Sequence, residues 1–152
     1  MNIIKIISGG QTGADIAGVD AAIECNVPYG GCLPKGRKCE DGTVPLSYTE
    51  FKELVRGGYP KRTEQNVIDS DGTVIFSYGK LSTGSALTSR LCKQHSKPFI
   101  YINLDVDADH ILKIKDWITE WDIKILNVAG SRESKHVGIY DQVKTIMKKV
   151  LN

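Results

Sequence analysis

The length of the chain, 152 residues, is that of one domain, because two cores of half that size would each be too small to be stable alone. A net charge of +2, with the 20 Lys and Arg residues spread along the chain, gives no reason to expect nucleic acid or an anionic membrane as a partner. No apolar run approaches the roughly 18 to 20 residues that span a bilayer, and the apolar start is too short for a signal peptide. We therefore expect one cytoplasmic domain over residues 1–152.

The chain begins with a pattern typical of a strand followed by a helix. Residues 3–7 form an apolar run that predicts a strand, and residues 14–25 have the period of a helix. The predicted apolar stripe of this helix consists of Ile16, Val19 and Ile23. Asn26 can adopt the left-handed conformation that ends a helix, and Pro28 cannot continue one.

Residues 35–61 have no long hydrophobic period and are rich in Pro, Gly and charged residues. This composition predicts a long loop or lid, with a short helix near residues 50–55. The larger apolar side chains of the segment could cover a ligand or contact a second subunit, and the sequence does not choose between the two. These side chains are Tyr48, Phe51, Leu54 and Tyr59.

Strands and helices alternate in the rest of the chain. The pattern predicts helices at 62–69 and 85–95 and strands at 73–78, 98–104 and 124–129. Asp107 is expected to cap a further helix whose apolar face is Ile111, Ile114, Ile118 and Trp121, and the closing helix presents Ile139, Val143, Ile146 and Val150. Alternating strands and helices favour parallel pairing with helices on both faces. We therefore expect an α/β fold, a Rossmann-like three-layer sandwich with a mainly parallel sheet.

Three of the expected strand ends carry glycine and hydroxyl residues, at the place where open α/β sheets bind ligands. The first, residues 8–15 (SGGQTGAD), joins glycines that allow a close turn to a helix start whose amides attract anions. It is neither a Walker loop nor GxGxxG. The second, residues 81–88 (LSTGSALT), has four hydroxyls where a cap needs one. The third, residues 127–134 (NVAGSRES), contributes Gly130 and Arg132, whose guanidinium is a forked donor for phosphate. We expect the amides of these turns to hold a phosphate in one shared cleft.

Two further segments are expected to reach the same cleft with polar and cationic residues. The first contributes Lys35, Gly36 and Arg37, and the second contributes Arg62, Thr63 and Asn66. The four cysteines and three histidines lack the paired spacing of metal ligands, so no metal site is expected. No Ser-His-Asp or Cys-His set can be assigned, so the spacing names no nucleophile.

An ordered set of motifs in this sequence resembles one known family. The motifs are SGGQTGADIAGVDAA, PKGRKCEDG, KRTEQNVIDSDGTVIFSYG, LSTGSALT, KPFIYINL and NVAGSRES. Together they resemble the putative molybdenum carrier family, which is the circularly permuted YpsA-like branch of the SLOG superfamily. The likeness covers nearly the whole chain outside about residues 46–59.

The resemblance implies a Rossmann-like fold, a homo-oligomer (a dimer or tetramer) and a site for a nucleotide or a related phosphorylated ligand. Molybdenum cofactor, whose molybdopterin carries a phosphate, is the candidate cargo that the family label implies. The ligand-facing residues implied by the resemblance are Gly9, Gly10, Gln11, Thr12, Gly13, Asp15, Arg62, Thr63, Asn66, Thr83, Gly84, Ser85 and Thr88.

A neighbouring SLOG branch, the cytokinin-activating phosphoribohydrolases, has the signature PGGxGTxxE with a catalytic glutamate. The corresponding stretch here, STGSALT, has Leu87 and Thr88 where acids would fall, so the candidate acids are Glu64 and Asp15 instead. Three hypotheses remain open. The first is a binding or carrier protein for a nucleotide-like or phosphorylated ligand. The second is a nucleotide-processing enzyme such as an N-glycosidic phosphoribohydrolase, and the third is a nucleotide-sensing interaction module.

Overall fold

The computed structural model describes residues 2–81 and 83–152, and of Thr83 it describes the backbone alone. In chain order the elements are β1 (Lys5–Ile7), α1 (Ala14–Glu24), β2 (Tyr29–Gly30), β3 (Cys32–Leu33), a 3-10 turn (Lys35–Arg37), β4 (Lys38–Cys39), β5 (Gly42–Thr43), β6 (Lys52–Glu53), α2 (Tyr59–Asp69), β7 (Gly72–Ser77), α3 (Thr83–Gln94), β8 (Phe99–Asn103), α4 (His110–Glu120), β9 (Ile125–Gly130) and α5 (Ile139–Leu151).

The central sheet has five strands in the order β2-β1-β9-β7-β8. Every pair in it is parallel, because each strand reaches the next through a crossover that contains a helix. β9 is the middle strand and pairs with both β1 and β7, through Ile6 opposite Leu126 and Val74 opposite Val128. The predicted α/β sandwich with a mainly parallel sheet is confirmed.

The two faces of the sheet differ in polarity. Val74, Phe76, Leu126 and Val128 point into the main core, which α1, α4 and α5 cover. The alternate residues of β7 and β9 point to the other face, because successive side chains of a strand face opposite sides. On that face α2 and α3 pack together, and the residues of the sheet beneath them include the polar pair Thr73 and Asn127, joined by a hydrogen bond of 3.1 Å.

The segment between β2 and α2 forms a small unit with its own apolar cluster. The buried cluster consists of Val19, Leu33, Val44 and Phe51, and Tyr48 packs against it. Two pairs of short strands organise the segment, β3 with β6 in parallel and β4 with β5 as an antiparallel hairpin. Tyr48 donates a 2.7 Å hydrogen bond to Asp20 of α1. Tyr48 and Phe51 therefore hold this segment against α1, and β6 lies where the sequence predicted a short helix.

In two helices, α4 and α1, the capping residue or the buried face differs from the sequence prediction. α4 is capped by Asp109, whose carboxylate accepts a 3.0 Å bond from Leu112 N, rather than by Asp107. Trp117 is buried and Trp121, just past the helix end, is 54% exposed.

In α1 the stripe expected at Ile16, Val19 and Ile23 is only partly buried, with Ile23 exposed. The alanines and Gly18 of α1 face the core instead, because this face lies directly on the sheet and on α5. The closing helix α5 is as predicted, with Ile139, Val143, Ile146 and Val150 all buried.

None of the helices in the part of the chain that the structure describes combines the length and the hydropathy of a membrane span.

Candidate functional site

A cavity of about 510 Å³ opens on the α2/α3 face, at the carboxyl ends of β1 and β9. The first turns of α2 and α3 form two of its walls, and the turns after β1 and β9 form the others. Its lining residues are Gly9, Gln11, Asp15, Tyr59, Pro60, Arg62, Thr63, Asn66, Gly84, Ser85, Leu87, Thr88, Asn127, Ala129, Gly130, Ser131, Arg132, Ser134 and Lys135. The position agrees with the general rule for open α/β sheets.

The cavity brings together eleven of the residues that the sequence predicted for the site. These are Gly9, Gln11, Asp15, Arg62, Thr63, Asn66, Gly84, Ser85, Thr88, Gly130 and Arg132. The predicted residues that do not line it are Gly10, Thr12, Gly13, Lys35, Gly36, Arg37 and Glu64. The side chain of Thr83 lies outside the described residues. All three turns singled out in the sequence therefore contribute residues to one cavity.

Arg62 lies against the turn after β1 and is nearly buried. Its Nη1 donates to Gly9 O at 2.8 Å and lies 3.5 Å from the carboxylate of Asp15. A Cβ on Gly9 would lie 2.3 Å from Cδ of Arg62, so only glycine lets the guanidinium approach this closely. On its other side Arg62 lies over the ring of Tyr59, 5.2 Å from the ring centre.

Asp15 is a buried carboxyl group at the edge of the cavity. Burial raises its pKa to about 6, against an ordinary value of 3.8, and this outweighs the opposing effects of Arg62 and of the Gln11 and Gly9 backbone. The carboxyl group is therefore half protonated near pH 6 and mostly ionised at pH 7 and above. Buried acids with such a pKa can exchange a proton with a ligand at the pH of most cells.

Three amides of the turn after β1 are already bound to the protein's own atoms. Gly10 N donates to Ser8 Oγ, Gln11 N to Asp15 and Thr12 N to the side chain of Gln11. Ala14 N, in the first turn of α1, donates to Ser131 O at 3.1 Å. This differs from the sequence-based expectation that these amides bind the ligand. At this turn, recognition of an anion therefore depends on side chains rather than on these amides.

Several predicted residues have structural contacts away from the cavity. The Arg37 guanidinium donates to the carbonyls of Val44, Pro45 and Tyr48, and so closes the loop between β5 and β6. Glu64 lies 2.9 Å from His95, which follows the end of α3.

Asn66 lines the cavity and also makes two hydrogen bonds to the backbone of Cys32. Its Oδ1 accepts from Cys32 N at 2.7 Å, and its Nδ2 donates to Cys32 O at 3.1 Å. The amide thereby fixes α2 to β3, and Asn66 is only 2% exposed.

The sequence reasoning missed Glu40, which contacts two of the residues that line the cavity, Arg132 and Ser134. It lies between β4 and β5, and its carboxylate accepts hydrogen bonds from Thr12 and Ser134 and pairs with Arg132. Partial burial raises the pKa of Glu40, but the hydrogen bonds from Ser134 and Thr12 and the charge of Arg132 outweigh this and hold it below its usual range. No local pattern could have identified it, because Ser134 is 94 positions away.

The charge of the cavity wall is positive on balance. Arg62, Arg132 and Lys135 contribute three cations, and Asp15 contributes one carboxylate. Among the described lining residues there is no cysteine or histidine. In the described part of the chain as a whole, no group of three or more His, Cys, Asp or Glu side chains is arranged to hold a metal ion.

Comparison with known proteins agrees with this architecture. The profile of the circularly permutated YpsA SLOG family matches residues 6–151. The chain is also similar to a protein from Syntrophus aciditrophicus SB whose crystal structure is described as that of a putative molybdenum carrier protein. The two are 46% identical, with a TM-score of 0.95 over 99% of this chain and 96% of the other. No match is found among curated proteins. The resemblance predicted from the motifs is confirmed, and the chain belongs to the circularly permutated YpsA SLOG family.

Proposed function

We propose that this protein binds and carries a phosphorylated, nucleotide-like small molecule in the cavity between α2 and α3. The observation that carries the proposal is the cavity itself: it lies at the strand ends, where the fold places ligands, and has a cationic wall. Its volume of about 510 Å³ is in the range typical of small-molecule sites. A ligand of this class would place its phosphate near Arg132 and the start of α3.

The start of α3 supports an anion at this position. Gly84 and Ser85 line the cavity in the first turn of α3, where the amides of a helix point outward and the dipole is positive. Gly84 is exposed, and a Cβ at this position would have no heavy atom within 4 Å. A ligand phosphate can therefore approach the helix end without steric hindrance.

The relative described as a molybdenum carrier makes molybdenum cofactor one ligand to test. The described lining residues offer cations, hydroxyls and amides but no thiol. These residues fit the phosphate and the pterin of such a ligand rather than its metal. The cofactor would therefore be bound as cargo through its organic part.

Gly84→Asp is expected to weaken binding of nucleoside monophosphates and of molybdenum cofactor about tenfold or more, because it places a carboxylate next to the ligand phosphate. Folding should be unaffected, since there is space for the side chain and an acid at a helix N-terminus is favourable. Calorimetry and thermal shift with a panel of phosphorylated ligands measure both effects. Gly84→Asn, with the same shape and no charge, is the control. Equal affinity of wild type and Gly84→Asp for every ligand would contradict the proposal.

A second candidate function, N-glycosidic hydrolysis of a nucleotide, is favoured by Asp15. An acid with a pKa of about 6 at the cavity wall can protonate a departing base. Release of free base from nucleoside monophosphates should then decline as the pH rises through 6, because the acid must be protonated, and Asp15→Asn should abolish it. Glu64 is expected to contribute nothing, since it contacts His95 outside the cavity. Absence of base release from wild type would exclude this candidate.

The homo-oligomer, the cytoplasmic location and the sensing role stay predictions. Size measurement with and without a bound nucleoside monophosphate separates a carrier from a sensor. A sensor would change its state of association, and a carrier would not.

A further inference from the structure

The carboxylate of Glu40 is held by donors from two separate parts of the chain. The hydroxyls of Thr12 and Ser134 both donate to it, and so does Ser134 N at 3.1 Å. Arg132 Nε lies 3.4 Å from Oε1. The hydroxyl of Thr12 is oriented for this role, because it accepts a 3.2 Å bond from Glu133 N and so has its own hydrogen free to donate.

This donor set has the composition of an anion site. Two hydroxyls, one backbone amide and one guanidinium converge on two oxygens, as they do around a bound phosphate or carboxylate. We call Thr12, Arg132 and Ser134 the anion subsite. Arg132 and Ser134 also line the cavity. A group bound in the subsite is therefore directly beside a ligand in the cavity.

The hairpin that carries Glu40 is a small, exposed part of the molecule. β4 and β5 have two residues each, and most residues from Lys38 to Thr43 are exposed. Besides the carboxylate, Glu40 N donates to the side chain of Gln11 at 2.8 Å. The loop from Val44 onward is fixed separately, by the buried cluster and by Arg37. Cys39 of the hairpin packs against that cluster, but none of the four buried cluster residues lies in residues 38–43. The hairpin can therefore leave the body of the protein while the buried residues of the cluster stay in place.

We propose that Glu40 is an internal substitute for a ligand anion: it occupies the anion subsite, and a phosphate that enters the cavity displaces it and releases the β4–β5 hairpin. This inference rests on the proposed function for the class of ligand. It adds a second anchoring point for the phosphate, next to the start of α3. It also means that wild type binds anions through a minor state in which Glu40 has moved away.

Glu40→Ala should bind inorganic phosphate and adenosine monophosphate about tenfold more tightly than wild type, because a competent state populated at about a tenth reduces the apparent affinity by that factor. Glu40→Ala with Arg132→Ala should lose this increase, since the subsite then lacks its cation. Glu53→Ala is the matched control, because Glu53 also holds a loop of this segment, through Gly36 N at 2.7 Å, but does not contact the subsite. Isothermal calorimetry gives the affinities. An equal or weaker affinity of Glu40→Ala for both probes would overturn the inference.

Hydrogen exchange provides an independent reading in the wild-type chain. Adenosine monophosphate should increase amide exchange in residues 38–43 of wild type, whereas in Glu40→Ala the exchange should already be high without ligand. Slower exchange in the bound wild type would mean that Glu40 holds the ligand in place, and would overturn the inference. Failure of the proposed function is distinct. In that case Gly84→Asp would bind every phosphorylated ligand with the same affinity as wild type. This outcome does not depend on how tightly Glu40→Ala binds inorganic phosphate.

Discussion

Asp15→Asn is expected to raise the free energy of unfolding by about 3 kcal/mol at pH 8, because about two pKa units separate the folded group from the free one. The folded protein holds the Asp15 proton more tightly than the unfolded chain does. Wild type therefore loses this stability as the pH rises from about 4 to about 6, and above 6 the full loss remains. The substituted amide can still accept from Gln11 N and Arg62. Denaturant unfolding of both proteins at pH 4 to 8 measures the difference.

The difference between the two proteins should disappear near pH 4, where Asp15 of wild type is protonated. Asp122→Asn is the control, since that side chain is 83% exposed and pairs with Lys124 at the surface. It should change stability by less than about 0.5 kcal/mol at every pH. A destabilised Asp15→Asn at pH 8 would show that the ion pair with Arg62 outweighs the burial of the carboxylate. An effect independent of pH would show that folding does not shift the pKa of Asp15. A buried ionised group that lowers the stability of the folded protein is typical of a functional site.

Gly130→Ala is expected to destabilise the protein by about 3 kcal/mol or more. Gly130 ends β9 with φ of 153°, and a Cβ there would lie 2.1 Å from Phe76 O and 2.7 Å from Cβ of Ala14. Both neighbours belong to the core framework and cannot move aside cheaply. Thermal and denaturant unfolding measure the loss.

Two other glycines separate the steric effect from the backbone effect. Gly138 has φ of 96° but open space around a Cβ, so Gly138→Ala should cost only about 1 kcal/mol. Gly58 has open space and an ordinary φ of −96°, so Gly58→Ala should cost only about 0.5 kcal/mol, because Ala is a poorer N-cap of α2 than Gly. If all three substitutions had the same effect, the contacts at Gly130 would not be the cause of its sensitivity.

The sequence predicts the sheet well because its strands are buried on both faces. Such strands are continuous apolar runs, as in residues 73–77 of the fully buried β7, and the single apolar face of α5 is equally clear. Periodicity predicts α4 less well. The spacing predicted Trp121 on the apolar face, which is wrong: the helix ends at Glu120, and Trp117 is buried instead.

The site was predictable to the extent that it follows from topology. Parallel strands bring their carboxyl ends to one edge, so the turns at Gly9 and Gly130 and the helix start at Gly84 had to be neighbours. The hydrogen-bond partners were not predictable. Whether Gln11 N faces a ligand or Asp15, and whether Arg132 meets Glu40, depends on contacts between distant segments that no local pattern encodes.

The position of β9 has a consequence for the order in which the chain is synthesised. A ribosome makes β1, β2, β7 and β8 before it makes β9, yet no backbone ladder joins β1 to β7 directly. Until β9 emerges, the nascent chain holds two half-sheets, each with an inner edge whose hydrogen-bonding groups lack their final partner. Such edges can pair with other chains. When β9 pairs with both β1 and β7, it therefore completes the sheet and covers both unpaired inner edges in a single step.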